Sequence, residues 1–193
     1  EIDKIMNAIR SLFSNELPLI GKKVLVSAGP TQEAIDPVRY ISNRSSGKMG
    51  YAFAEVARDL GAKVTLVSGP VALPKIPEVK MVMVESALEM LSALENSLDE
   101  QDADYLIMTA AVADYQPENP SNEKLKRKKS TETLYLTPTP DILKTINSQT
   151  KATIIAFALE TQNGTTEAKR KMDDKGADFI VLNYANEVGA GFE

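Results

Sequence analysis

The chain has no cysteine and no histidine among its 193 residues. The first absence removes thiol nucleophiles, disulfides and thiolate metal sites. The second removes the imidazole acid, base or zinc ligand. Any chemistry must then use carboxylates, lysine, arginine, hydroxyls, amides, backbone N–H groups or a hard metal held through oxygen, for which Mg²⁺ is best suited. Such groups position reactants and neutralise charge better than they shuttle protons near neutral pH. Long apolar runs are also missing: none approaches the roughly 18 residues that a membrane span needs. The opening stretch EIDKIMNAIRSLF begins acidic and lacks the charged, apolar, small-residue order of a secretion signal. A cytoplasmic protein with no membrane partner is expected. A net charge of −5 and a pI near 5.0 disfavour a nucleic-acid partner.

With 43% hydrophobic residues, the chain can bury one sizeable core. Residues 1–20 have Ile2, Ile5, Met6, Ile9 and Phe13 at helical spacing and end in a short linker. Beyond them, β-rich apolar runs alternate with helical patterns. Strands are expected over 22–29, 63–70, 81–86, 103–115, 152–161 and 178–186. Helices are expected over 46–62, 86–100, 139–149 and 165–177. Ser86 with Glu89 forms a capping box, and Thr139 and Pro140 are the expected cap and first residue of their helix. Continuous apolar strands alternating with helices predict an α/β fold: a Rossmann-like, doubly wound, mostly parallel sheet with helices on both faces. Ligands of such sheets sit beyond the carboxyl ends of the strands, so the loops 27–48, 109–130 and 158–165 are where a site belongs.

The first of these loops ends in ISNRSSGKMG (41–50). It invites comparison with a Walker A loop, which needs Gly, four residues, then Gly-Lys-Ser/Thr directly after a strand. Here Ser42 stands at the first glycine position and Met49 follows Lys48, roughly 18 residues beyond the strand. The segment is not a P-loop, and it lacks the G-x-G-x-x-G dinucleotide fingerprint. It does start a helix, where Ser45, Ser46, Gly47 and Lys48 can present N–H groups and positive charge to a phosphate. The second loop holds the small residues Ala110, Ala111, Val112 and Ala113 before Asp114, and these let a flat ring approach the backbone. It then carries Lys124, Lys126, Arg127, Lys128 and Lys129. This basic run reads as a solvated hairpin, a weak nucleic-acid contact or a flap that lays a lysine over a polyphosphate. In 165–177, Lys171 and Lys175 lie four apart on one helical face, as surface lysines paired with Glu167 or Asp174 would.

Taken together, SAGPTQEAIDPVRYISNRSSGKMGYAFAE, TLVSGP, AAVADY, EKLKRK, TPDIL and FALET resemble the phosphopantothenoylcysteine synthetase family over roughly 21–193. This is the second activity of the bifunctional coenzyme A biosynthesis flavoprotein. The resemblance implies a Rossmann-like domain with a basic flap. It also implies activation of 4′-phosphopantothenate by CTP with Mg²⁺, releasing pyrophosphate, and then amide formation with L-cysteine. The forms NRSSGKMG and AAVADY resemble the CTP-using branch of the family rather than the ATP-using one. By motif, Asn43 matches the residue that converts the acyl-cytidylate, and Lys124 the flap lysine needed to form it. Ala110, Ala111, Val112, Ala113 and Asp114 match base and ribose contacts. Pro140, Asp141, Ile142 and Leu143 match a further CTP segment, Phe157 the aromatic beside the nucleotide, and Lys171 and Lys175 two nucleotide-binding lysines. No metal ligand is implied. The sequence departs at Leu159, where the family has Ala, and in ending at GAGFE, where the family continues into another strand. The leader 1–20 resembles the linker from an upstream FMN-dependent decarboxylase domain, and the family acts as a homodimer. Other readings are a non-catalytic nucleotide-binding domain on the same sheet and an NAD(P)-dependent reductase, the latter disfavoured by the missing glycine fingerprint.

Overall fold

In strand β1 (Lys23–Ala28), alternate residues enter two different cores. Leu25 packs with Val67, Met90, Leu94, Leu106 and Ile154 on one side. Val24, Val26 and Ala28 pack with Tyr51, Ala54, Val64 and Leu66 on the other. A strand covered on both faces is apolar throughout rather than alternating, which explains the run VLV in the sequence. The computed structural model describes residues 17–127, 130–160 and 164–184. The helix expected over residues 1–20 lies largely outside these, as do Lys128, Lys129, Thr161 and the GAGFE ending.

Six strands form one parallel sheet: β1, β4 (Lys63–Ser68), β5 (Lys80–Met83), β6 (Tyr105–Met108), β9 (Thr153–Glu160) and β10 (Phe179–Tyr184). Their spatial order is β10-β9-β6-β1-β4-β5, and every pairing is parallel. The chain winds outward from β1 in one direction through β4 and β5, then outward in the other through β6, β9 and β10. This is the Rossmann order, and its switch point lies between β1 and β6. Helix α1 (Lys48–Asp59) buries Gly50, Tyr51, Ala54 and Ala57 on one face of the sheet. Helices α2 (Ala87–Gln101) and α3 (Ile142–Asn147) bury Met90, Leu94, Leu143 and Ile146 on the other. Helix α4 (Gly164–Lys175) packs on β10 and β9.

Two antiparallel hairpins stand above the carboxyl ends: β2 (Gln32–Ala34) with β3 (Tyr40–Ser42), and β7 (Tyr115–Pro117) with β8 (Leu136–Pro138). The sequence pattern did not reveal them, because three residues are too few to express a period of two. The expected strand 103–115 is thus β6 plus a separate β7. The Lys124 segment lies in the β7–β8 connection. The first hairpin is docked on α2: buried Glu33 accepts the Ala87 N–H at 2.9 Å, and Gln32 donates to the Glu85 carbonyl at 2.8 Å.

The capping box of α2 is as expected, whereas the starts of α3 and α1 differ for local reasons. Ser86 caps α2 by accepting the Glu89 N–H at 3.2 Å, while the Glu89 carboxylate takes the N–H of Glu85 at 2.7 Å. Thr139 does not cap α3, since its hydroxyl donates to the Ala113 carbonyl. Asp141 caps it instead, accepting the Lys144 N–H at 3.2 Å, and Pro140 falls just before the cap. Helix α1 starts at Lys48 rather than at 46, because Gly47 is left-handed at φ 74° and no side chain caps it. One turn further on, α1 touches the sheet. A Cβ on Gly50 would sit 2.5 Å from the Ala28 Cβ and closer still to the Thr109 Oγ1. Gly50→Ala is therefore expected to cost about 1–3 kcal/mol by forcing α1 off β1, read as a lowered urea midpoint at unchanged slope.

Candidate functional site

Beyond the switch point lies a cleft of about 900 Å³. Its walls are the turn into α1, the loop after β6, the start of α3, the end of β9 and the inner side of α4. Asn43, Ser45, Ser46, Gly47, Lys48, Ala110, Ala111, Val112, Ala113, Asp114, Pro140, Asp141, Ile142, Leu143, Phe157, Lys171 and Lys175 all line it. Residues expected from five separate stretches of sequence are thus gathered at one place. Lys124 is exposed and is not among the lining residues.

Asn43 is oriented by the loop opposite. Its amide nitrogen donates to the Val112 carbonyl at 2.8 Å, with a longer contact to the Ala111 carbonyl at 3.5 Å. Two carbonyls on one side fix which end of the amide is nitrogen. The Oδ1 has no partner among the described residues and remains as an acceptor.

The loop itself is pinned by hydroxyls that the sequence pattern did not single out. Buried Thr31 accepts the Ala113 N–H at 2.9 Å, and buried Ser27 accepts the Ala110 N–H at 3.3 Å. Thr109 donates to the Ser27 carbonyl at 2.6 Å, and Ser42 to the Thr31 carbonyl at 2.7 Å. These bonds tie Ala110–Ala113 to the carboxyl end of β1 and the loop that follows it, and with such small side chains a ring could lie on main chain. The available signal was a buried Ser and Thr at the carboxyl end of an otherwise apolar strand. Phe157 is braced by Phe53 of α1, edge to face at 5.4 Å and 61°. Phe53 was also not anticipated.

The electrostatics favour an anion. The start of α1 has neither a side-chain cap nor an acidic residue in its first turn, so its first N–H groups and dipole face the cleft unneutralised. The Gly47 N–H is the exception, donating to Ser45 Oγ at 3.3 Å. Lys48, Lys171 and Lys175 add three cations to the lining, against the carboxylates of Asp114 and Asp141. Lys175 pairs with Asp141 at 3.7 Å, not with Asp174, which pairs with Arg170 at 2.8 Å. A bound phosphate would compete with Asp141 for Lys175. Among the described residues no three acidic side chains gather as a metal cage. With Asp141 serving as cap and ion-pair partner, Asp114 is the lining carboxylate left for a cation. One carboxylate plus substrate phosphates and water is a set that Mg²⁺ accepts.

The segment bearing Lys124 is held from outside the cleft. Ser121 donates its N–H to the Ile35 carbonyl at 2.9 Å. Leu125 donates its N–H to Asp36 Oδ2 at 3.0 Å, and Arg39 donates to the Leu125 carbonyl at 2.8 Å. The Asp36 carboxylate also accepts from the Arg39 guanidinium and from the N–H groups of Val38 and Arg39, both at 2.9 Å. The Arg39 guanidinium, helped by these backbone donors and opposed by burial, holds the Asp36 carboxyl well below the usual carboxylate range. Its native value is lowered, so the stability it contributes is complete above about pH 4 and is lost as pH falls through the lowered value.

A parallel sheet in Rossmann order, with an uncapped helix start and lysines around a cleft at the switch point, defines a nucleotide-type α/β domain. More narrowly, the chain belongs to the DNA/pantothenate metabolism flavoprotein C-terminal domain family, which it matches over residues 19–193. It is 43% identical over 189 residues to the coenzyme A biosynthesis bifunctional protein CoaBC of Vibrio vulnificus, covering 96% of this chain and 47% of that protein. It is also 43% identical over 199 residues to a cysteine/cysteine sulfinic acid decarboxylase of an unknown prokaryotic organism, covering 100% of this chain and 55% of that protein. The crystal structure of the C-terminal domain of a CoaBC protein superposes with a TM-score of 0.74 at 48% identity, covering 86% of this chain and 78% of that one. The chain spans about half the length of the curated relatives it matches.

Proposed function

We propose that this chain is a nucleotide-dependent acid–amino-acid ligase that joins 4′-phosphopantothenate to L-cysteine at the switch-point cleft, with CTP as the activating co-substrate. The relatives' names carry more than one activity, so the assignment to this half rests on the site. One observation carries it. The Asn43 amide, held by the Val112 carbonyl, stands in the same cleft as the uncapped start of α1 and the Lys171–Lys175 face of α4. That combines a neutral amide-reading group with polyphosphate-neutralising ones, in a chain that has no thiol or imidazole for a covalent route.

In the first step a carboxylate oxygen of phosphopantothenate attacks the α-phosphorus of CTP. The bond to pyrophosphate breaks and an acyl-cytidylate remains. Lys48, Lys171, Lys175 and the first N–H groups of α1 neutralise the phosphates, and Lys124 acts from the flap. Mg²⁺, when bound with Asp114 among its partners, supplies further charge neutralisation on the phosphates. In the second step the cysteine amine attacks the acyl carbon, CMP leaves with the electrons of the C–O bond, and the amine gives up a proton. The free Oδ1 of Asn43 suits the amide N–H of the pantothenate arm, and Phe157 with Ala110–Ala113 frames a flat base.

The homodimer, the fusion to an upstream FMN-dependent decarboxylase domain, the division at residues 20 and 21 and a cytoplasmic location belong to the same proposal. The exposed Val38 and Tyr40 of the first hairpin and Tyr115, Tyr135 and Leu136 of the second favour the dimer, since they are large apolar groups left open on neighbouring elements. No described helix is long and apolar enough to cross a membrane.

Calorimetric titration with CTP, ATP and NADP tests the nucleotide class. The expected order is CTP tightest, ATP weaker and NADP undetectable. NADP binding tightest would replace the ligase reading with a reductase, and CTP binding without turnover would leave a non-catalytic nucleotide domain.

A further inference from the structure

Asp36 is buried, with 3% of its surface exposed, and is not among the residues that line the cleft. A carboxylate in that position has to be matched by donors, and it is matched twice over. One set is local, from Val38 and Arg39 of its own turn. The other comes from a segment 89 residues away in sequence, the Leu125 N–H beside Lys124. Arg39 closes the arrangement by donating to the carbonyl of the same Leu125. Leu125 is therefore held through both its N–H and its C=O, while its side chain is half exposed. Backbone capture of this kind fixes the position of the chain whatever the side chains nearby do. Ser121, held through its N–H by Ile35, is a second anchor four residues earlier. The turn that supplies Ile35, Asp36 and Arg39 runs on through β3 into Ser42 and Asn43.

From this geometry we propose that Asp36 is a positioning residue for the ligase reaction. It ties the base of the Lys124 segment to the hairpin that delivers Asn43, so that the residues acting in the two half-reactions share one mechanical frame. The proposal rests on the ligase reading of the cleft. Asp36 touches no substrate. It acts through Leu125 on Lys124, and a lysine displaced by about an ångström from a transferring phosphoryl group loses much of its effect. The carboxylate does what no neutral group of its size can. Oδ2 accepts from the guanidinium and from the Leu125 N–H together, and an amide nitrogen there would face two donors with a third.

Asp36→Asn is the test, with two independent readouts. The first needs no activity. Limited trypsin digestion followed by mass spectrometry measures cleavage after Lys124, Lys126 and Arg127, relative to cleavage after Lys23 and Lys63 within the sheet. Release of the tether raises the first set several-fold over the second, whereas general destabilisation raises both alike. The second readout is single-turnover pyrophosphate release in Asp36→Asn, Lys124→Gln and the double variant. The expected loss in Asp36→Asn is on the order of ten- to a hundredfold in rate with nucleotide affinity little changed. The double variant should be no slower than Lys124→Gln alone, because two changes acting through one group do not multiply. Equal cleavage ratios in wild type and Asp36→Asn would overturn the tether. Multiplicative losses in the double variant would overturn its action through Lys124. A wild-type chain that releases no pyrophosphate with any nucleotide sinks the ligase reading and the catalytic role with it, while the cleavage ratio still decides the tether.

Discussion

Replacing Lys124 with glutamine is expected to slow pyrophosphate release by about a hundredfold or more, with CTP affinity changed only a few-fold. The size follows from removing a single charge aimed at developing negative charge on a transferring phosphoryl group, which costs about 10²–10³ in rate when it acts in the transition state. The preserved affinity follows from the structure. Lys124 is not part of the cleft lining, whereas Lys48, Lys171 and Lys175 are, so ground-state binding of the nucleotide rests on groups that the variant retains. A loss confined to the rate is the signature of an interaction made only in the transition state. Rapid-quench measurement of pyrophosphate with saturating CTP and phosphopantothenate reads it. Equal losses in affinity and rate would make Lys124 a simple binding residue.

Asn43→Asp is expected to have the opposite partition. The change is nearly isosteric, but both ends of the side chain become oxygen, and one of them must face the Val112 carbonyl that now accepts a hydrogen bond at 2.8 Å. The side chain turns away or the loop shifts, and the free acceptor is no longer where the pantothenate arm needs it. Pyrophosphate release is expected to fall less than about tenfold, while amide formation falls by about a hundredfold or more, so the acyl-cytidylate accumulates. Separation of quenched reactions by chromatography shows this as a new nucleotide species that disappears only slowly on addition of cysteine. Accumulation in Lys124→Gln instead of Asn43→Asp would reverse the two roles.

The sheet was legible because its strands are buried on both faces and read as unbroken apolar runs, with helical spacing between them and glycines after α1 and α4. The cleft was legible because a doubly wound sheet binds ligands beyond its carboxyl ends, which directs attention to the loops after β1, β6 and β9. The assignments of Asn43, Lys124, Lys171 and Lys175 came from family resemblance; Lys171 and Lys175 alone read equally well as surface lysines. What stayed hidden was long-range and polar. Thr31 and Ala113 are bonded across 82 residues, and Leu125 and Asp36 across 89. Neither pair leaves a periodic trace. Asp36 carries no signal of this role in the sequence, and only the fold brings the Lys124 segment onto it. The helix starts were misplaced by one or two residues for a related reason. The expected cap Thr139 had a competing role in its loop and the neighbouring Asp141 took over, while at α1 the left-handed Gly47 delays the helix start to Lys48.

One cleft is expected to activate a carboxylate with a nucleoside triphosphate and then transfer the acyl group to an amine, with no cysteine or histidine in this chain. Pyrophosphate release by the purified chain, measured with each component omitted in turn, tests it most directly. The expected result is release that requires CTP, 4′-phosphopantothenate and Mg²⁺ together and does not require cysteine, whose addition converts the product to CMP and the amide. Release of pyrophosphate without phosphopantothenate, or none with either CTP or ATP when all components are present, would contradict it.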